Sequence, residues 1–146
     1  MTHLLPIWSE VVRTGVHSMP FSVESQFSLV DIGDLAEAAA RVLMENNHDY
    51  ATYELAGPER LSQADCSRII ADVLGRPVRA ERKPQDVFLK QMVAAGMPQQ
   101  RIDVMLTMNK HYDAHGLLGN SNVLRWLLGR EPRRFKAFVE TLPQTS

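Results

Sequence analysis

One cysteine, Cys66, stands alone in 146 residues, so no internal disulfide can form and the chain fits a reducing compartment. Basic excess is also missing. The formal net charge is -1, whereas a nucleic-acid surface needs spare cations to displace counterions from phosphates. No apolar run approaches the roughly 20 residues that span a bilayer, and Met1 to Leu5 lacks the basic start and long apolar stretch of a signal peptide. We therefore expect a cytoplasmic protein with no nucleic-acid and no membrane partner. The sequence also lacks a strand followed by G-x-G-x-x-G, a P-loop, and a lysine four residues after Tyr50, Tyr53 or Tyr112. No catalytic residue, cofactor-binding residue or metal ligand is assigned to this chain.

What is present is the composition of a globular protein, 45% hydrophobic and 23% charged, long enough for a real core in a single domain spanning residues 1–146. The clearest local signal is Phe27 to Leu43, FSLVDIGDLAEAAARVL. Phe27, Leu29, Val30 and Ile32 suit a half-buried strand. Asp34 with Glu37 three residues on predicts a capped helix start, and Leu35, Ala38, Ala39, Val42 and Leu43 repeat at helical spacing. Asp31 and Asp34 read as caps rather than as a general acid and base.

Before this stretch, Leu4, Ile7, Trp8, Val11 and Val12 predict a helix closed by Gly15, and Val16 to Gln26 reads as an irregular connection with room for a short strand. After it, Thr52 to Ala56 predicts a strand ending in the Gly57-Pro58 turn. Ser62 and Asp65 form a capping box for a helix whose buried face is Cys66, Ile69, Ile70, Val73 and Leu74, stopped by Gly75. Pro77 to Glu81 is a further strand. Pro84 and Pro98 start helices that end at Gly96 and Gly116, and two short helices follow at Val123–Leu128 and Phe135–Leu142. Residues Pro143 to Ser146 are expected to fray. The class is mixed α/β, helix-rich with a few short strands.

Three groups of residues have both a chemical and a structural reading. His111 and His115 lie four apart, a metal-ligand spacing, but no third ligand is evident and surface or pocket-lining histidines fit better. Arg76, Arg79, Arg82 and Lys83, and then Arg125, Arg130, Arg133, Arg134 and Lys136, could meet a phosphate, although interleaved carboxylates favour ion pairs. Met92, Met97, Met105 and Met108 could line a pocket or fill a core. For a substrate pocket the candidates are Trp8, Phe21 and Tyr112, which offer apolar walls and one hydroxyl, with His111 as a polar contact. Core packing is the alternative for each.

In order, FSLVDIGDLAEAAARVL (Phe27–Leu43), YELAGPERLSQAD (Tyr53–Asp65), VLGRPVRAE (Val73–Glu81) and LLGREPRRFKAFVE (Leu127–Glu140) resemble the C-terminal part of NmrA-like proteins, atypical members of the short-chain dehydrogenase/reductase superfamily. The resemblance implies a Rossmann half that binds NAD(P) through a glycine-rich turn, and a C-terminal half that closes over a small organic substrate. Only the second half is matched here. Asp31, Asp34 and Ala36 fall on the family's return from its small lobe to the main sheet, and Tyr53 to Leu55 on its last main-sheet strand. The implied function is the substrate-binding portion of an NAD(P)-dependent oxidoreductase, not catalytic alone and present as a truncated or split chain. The alternative is a non-catalytic regulatory or protein-interaction module. A strand cut from its sheet leaves backbone groups unpaired, so self-association or a separate Rossmann-domain partner is expected.

Overall fold

The computed structural model describes residues 1–144. In chain order, a 3₁₀ turn (Thr2–Ile7) leads into α1 (Trp8–Thr14), β1 (Val16–Met19), β2 (Gln26–Ser28), α2 (Ile32–Met44), β3 (Arg60–Ser62), α3 (Gln63–Leu74), β4 (Arg79–Arg82), α4 (Gln85–Ala94), α5 (Gln99–His115), α6 (Asn122–Leu128) and α7 (Phe135–Glu140). The helix-rich mixed α/β class matches the expectation. Two small sheets stand in place of one large one. β1 pairs parallel with β4, Val16 opposite Arg79 through Met19 opposite Arg82. β2 pairs antiparallel with β3, Phe27 opposite Leu61. No helix among the described residues is long and apolar enough to cross a membrane.

The first helix begins later than its apolar spacing predicts. Pro6 lies within the 3₁₀ turn, since a ring without an N–H fits such a lead-in better than a helix interior. Leu4, Trp8, Val11 and Val12 are buried all the same, and they pack with Met1, Cys66, Ile70, Phe135, Phe138 and Val139 in the larger core. Each large side chain there contributes roughly 1.5–3 kcal/mol on burial. The smaller core joins Ala38 of α2 to Leu124, Leu127 and Leu128 of α6 and its flank. The expectation of a frayed end is not met at Pro143. Thr145 and Ser146 lie outside the described residues, while the Pro143 carbonyl accepts a hydrogen bond from Trp8 Nε1 at 2.6 Å.

Two expectations are corrected. The cap of α2 is Asp31, whose carboxylate accepts from the N–H groups of Gly33 and Asp34, so Ile32 belongs to the helix rather than the strand. Asp34 is fully buried and has a different task. It accepts from Arg130 Nη2 at 2.9 Å and from the Arg133 N–H at 2.6 Å. Asp31 also takes Arg133 Nη1 at 3.3 Å, so the start of α2 and the α6–α7 connection are tied by one ionic knot. The second correction concerns Thr52–Ala56, which forms no strand. Its β propensity is real, but a ladder needs a paired neighbour, and among the described residues no strand pairs with it.

The Ser62–Asp65 capping box of α3 is formed in both directions. Of the α2 stripe, Ala38 is buried and Val42 packs on the smaller core, whereas Leu43 and Met44 are 84% and 85% exposed. The apolar side of α2 is therefore wider than the surface available to cover it.

Candidate ligand cavity

A cavity of about 200 Å³ opens where β1, β2, the start of α3 and the end of α5 converge. Three aromatic rings make one wall. Phe27 sits on β2 with its ring centroid 4.9 Å from that of Phe21 and 5.2 Å from that of Tyr112, and Phe21 lies 5.8 Å from Tyr112. The Tyr112 ring stands edge-on to both phenylalanines, at 87° and 90°, the arrangement that ring quadrupoles favour. Met19, Leu29, Leu61 and Leu117 complete the apolar lining.

The chain holds these rings in place by short-range turns and long-range backbone bonds. Gly116 ends α5 at φ +64°, and a Cβ there would overlap the Gln26 carbonyl oxygen, so only glycine lets α5 end against β2. The next residue then joins the sheet edge. Leu117 N–H donates to Gln26 O and Leu117 O accepts from Ser28 N–H, both at 2.9 Å. On the other side, the Asp113 carboxylate accepts from the Ser22 N–H at 2.5 Å and pairs with Arg82. That clamp fixes the loop carrying Phe21 against the helix carrying Tyr112.

The remaining wall is polar and buried. Gln63, the first residue of α3, donates through Nε2 to the Glu81 carbonyl at 3.0 Å and to the His17 carbonyl, stapling the β1–β4 pair to α3. His17 Nδ1 lies 3.1 Å from Ser67 Oγ. His17 Nε2 and Gln63 Oε1 have no partner among the described residues, although both residues line the cavity and are 2% and 3% exposed. Burial lowers His17 from 6.5 to about 4, so it is neutral at pH 7. Burial, followed by the nearby Asp65 and Glu59 charges, pushes the Cys66 thiol up to about 12, and this cavity-lining sulfur is a small hydrophobe, not a nucleophile.

Of the residues singled out in the sequence, Phe21 and Tyr112 share this cavity. Trp8 lies in the larger core. His111 is on the exposed side of α5 with its ring 4.9 Å from that of His115, and no group of three metal-ligating side chains exists among the described residues. None of Met92, Met97, Met105 and Met108 lines the cavity. The basic clusters are largely ion-paired, Arg79 with Glu81, Arg82 with Asp113, Arg125 with Glu131, Arg130 with Asp34 and Glu37, and Arg133 with Asp31. Sequence reading missed Phe27, which it assigned only to a strand, and also His17 and Gln63. The signal for His17 was a single imidazole between Val16 and Met19, and for Gln63 an amide directly after a helix cap.

A glycine-rich pyrophosphate turn lies between a strand and a helix N-terminus. The five glycines with positive φ, Gly15, Gly75, Gly96, Gly116 and Gly129, instead follow the C-terminal ends of α1, α3, α4, α5 and α6.

No family model matches the chain. It is 27% identical over 140 residues to an NAD(P)H azoreductase of Xenophilus azovorans, covering 96% of this chain and 49% of that protein. To an uncharacterized oxidoreductase of Bacillus subtilis it is 28% identical over 119 residues, covering 81% of this chain and 41% of the other. An NADPH-dependent quinone oxidoreductase of Escherichia coli superposes with a TM-score of 0.78 at 22% identity, over 94% of this chain and 50% of that one. The chain spans about half the length of the curated relatives it matches, and its fold is that of the C-terminal half of Rossmann-like reductases.

Proposed function

We propose that this chain is the substrate-binding half of an NAD(P)-dependent oxidoreductase of the NmrA-like kind, and that its cavity takes a small, flat aromatic molecule. The observation that carries this reading is the wall of Phe21, Phe27 and Tyr112 around a space of about 200 Å³. An engineered apolar cavity of about 150 Å³ holds benzene, so this one suits a substituted single ring. Named relatives act with NAD(P)H, and on this reading the dinucleotide belongs to a half outside these residues. This chain's share of the work is to stack the substrate on Phe27 and Tyr112, to exclude water with Met19, Leu29 and Leu61, and to fix the ring's orientation with buried polar groups. The dinucleotide-binding half is proposed to rest on the unpaired backbone of Thr52–Ala56 and the exposed apolar side of α2, where Leu43 and Met44 point outward.

The test is calorimetric titration of the purified chain with duroquinone and, separately, with NADPH and NADH. Duroquinone binding that is lost in Phe27→Ala and Tyr112→Ala, with silence from both nucleotides, is the expected result. Micromolar nucleotide binding by this chain alone, or quinone binding indifferent to both substitutions, would overturn the reading.

A further inference from the structure

The polar side of the cavity carries more information than its apolar side. Gln63 has both amide hydrogens committed, because only an NH2 group can serve two carbonyls, those of His17 and Glu81. That fixes the amide orientation and leaves Oε1 as a pure acceptor with nothing to accept from among the described residues. The His17 imidazole is neutral and meets Ser67 Oγ through Nδ1. When the serine hydroxyl donates to Nδ1, the proton resides on Nε2, which is then a donor without an acceptor. In that tautomer an unpaired donor and an unpaired acceptor, on two side chains each more than nine-tenths buried, line one aromatic-walled space. Left unmade, both bonds cost stability.

We propose that the cavity recognises a hydroxylated aromatic ring, a phenol or hydroquinone, whose hydroxyl donates to Gln63 Oε1 and accepts from His17 Nε2. This rests on the reading of the cavity as a substrate wall and adds the chemical class. A hydroxyl is the smallest group that gives and takes at once. A quinone carbonyl answers only His17 and leaves Gln63 Oε1 bare, so the site favours the reduced, hydroxyl-bearing partner of a quinone pair. A carboxylate is disfavoured, because it would bring a second acceptor against Gln63 Oε1 and no cation lines the cavity to neutralise it. The Cys66 thiol stays out of the chemistry as a packing group.

The experiment compares p-cresol with p-xylene, which has nearly the same shape but carries a methyl in place of the hydroxyl, by NMR titration of the ¹⁵N-labelled chain. Binding of p-cresol at least tenfold tighter than p-xylene, with a shift of the His17 Nε2 resonance only for p-cresol, supports the proposal. His17→Leu should then erase the discrimination while p-xylene still binds. That variant removes a polar group from the interior, so its fold is checked by circular dichroism, and the wild-type His17 resonance decides the matter independently. Equal binding of both ligands with no His17 shift overturns the hydroxyl assignment and leaves the substrate wall standing. Binding of neither overturns both.

Discussion

His17 is 2% exposed, and burial holds its imidazole at about 4 in the folded chain against an ordinary value of 6.5. Between those two values the unfolded chain binds a proton that the folded chain does not. Stability therefore rises with pH across this window and is lost as pH falls from the unfolded value toward the folded one. At about 1.4 kcal/mol per pH unit, His17's share of the loss between pH 7 and pH 4 is about 3 kcal/mol, a large part of the 5–15 kcal/mol typical of a domain. His3 on the same cavity, also lowered to about 4 chiefly by desolvation, adds its own share over the same window. Carboxylates act elsewhere on the scale. Asp65, held low by its hydrogen bonds to Ser62, and Glu37, held low by Arg130, weaken the fold only below their ordinary values near 4. Urea unfolding followed by circular dichroism at pH 7.5, 6.0, 5.0 and 4.5 reads the slope. His17→Leu is expected to lower stability at pH 7.5, because Ser67 Oγ loses its partner at a cost of about 1–3 kcal/mol, yet to make the slope above pH 4.5 clearly shallower, with what remains carried by His3. A His17→Leu protein with the wild-type slope would refute the reasoning, whatever its absolute stability.

Four further outcomes follow from the geometry. Asp34→Ala strands the Arg133 N–H that it now accepts and should cost about 2 kcal/mol, with Asp34→Asn recovering part of it in the same urea titration. Cys66 should be silent toward Ellman's reagent in the native protein and release one equivalent in guanidinium, because a buried thiol at about 12 is not a thiolate at pH 8. Gly116→Ala meets both a positive φ and the Gln26 carbonyl; it should cost at least about 2 kcal/mol and reduce aromatic-ligand binding, since Tyr112 sits one turn away. Multi-angle light scattering on the eluting chain should give a mass above the 16.5 kDa monomer, because Thr52–Ala56 has no strand partner among the described residues and Leu43 and Met44 are exposed; a monodisperse monomer that binds no hydrophobic dye counts against this.

Local chemistry was readable in the sequence wherever one stretch held its own answer. The box at Ser62 and Asp65, the proline starts before α4 and α5, and the closing glycines at Gly15, Gly75 and Gly129 are decided by neighbours within four residues, and the structure shows each of them. What escaped depends on partners far along the chain. Asp34 looks like a cap from its own neighbourhood, but Arg130, 96 residues on, claims its carboxylate. Asp31 is left to do the capping. Thr52–Ala56 has a strand's composition and lacks a strand's neighbour. The cavity joins Phe21 and Phe27 to Tyr112, about 90 residues apart, and nothing in either local pattern announces the other.

His17 and Gln63 bear on why the cavity is more than a packing fault. A Leu at 17 would keep the β1–β4 pairing and remove one orphan donor, while leaving Ser67 Oγ without its partner. Buried polar groups in proteins are nearly always satisfied, and a donor or acceptor left without any partner costs roughly 1–3 kcal/mol. Two of the four buried side-chain atoms without a partner among the described residues, His17 Nε2 and Gln63 Oε1, belong to residues lining one cavity, beside three rings that the chain immobilises with a left-handed glycine, an Asp113 clamp and a sheet-edge bond from Leu117. Violations of packing rules that cluster around a preorganised space mark a functional site more than a weak core. The proposed ligand's hydroxyl would answer both atoms at once, donating to Gln63 Oε1 and accepting from His17 Nε2.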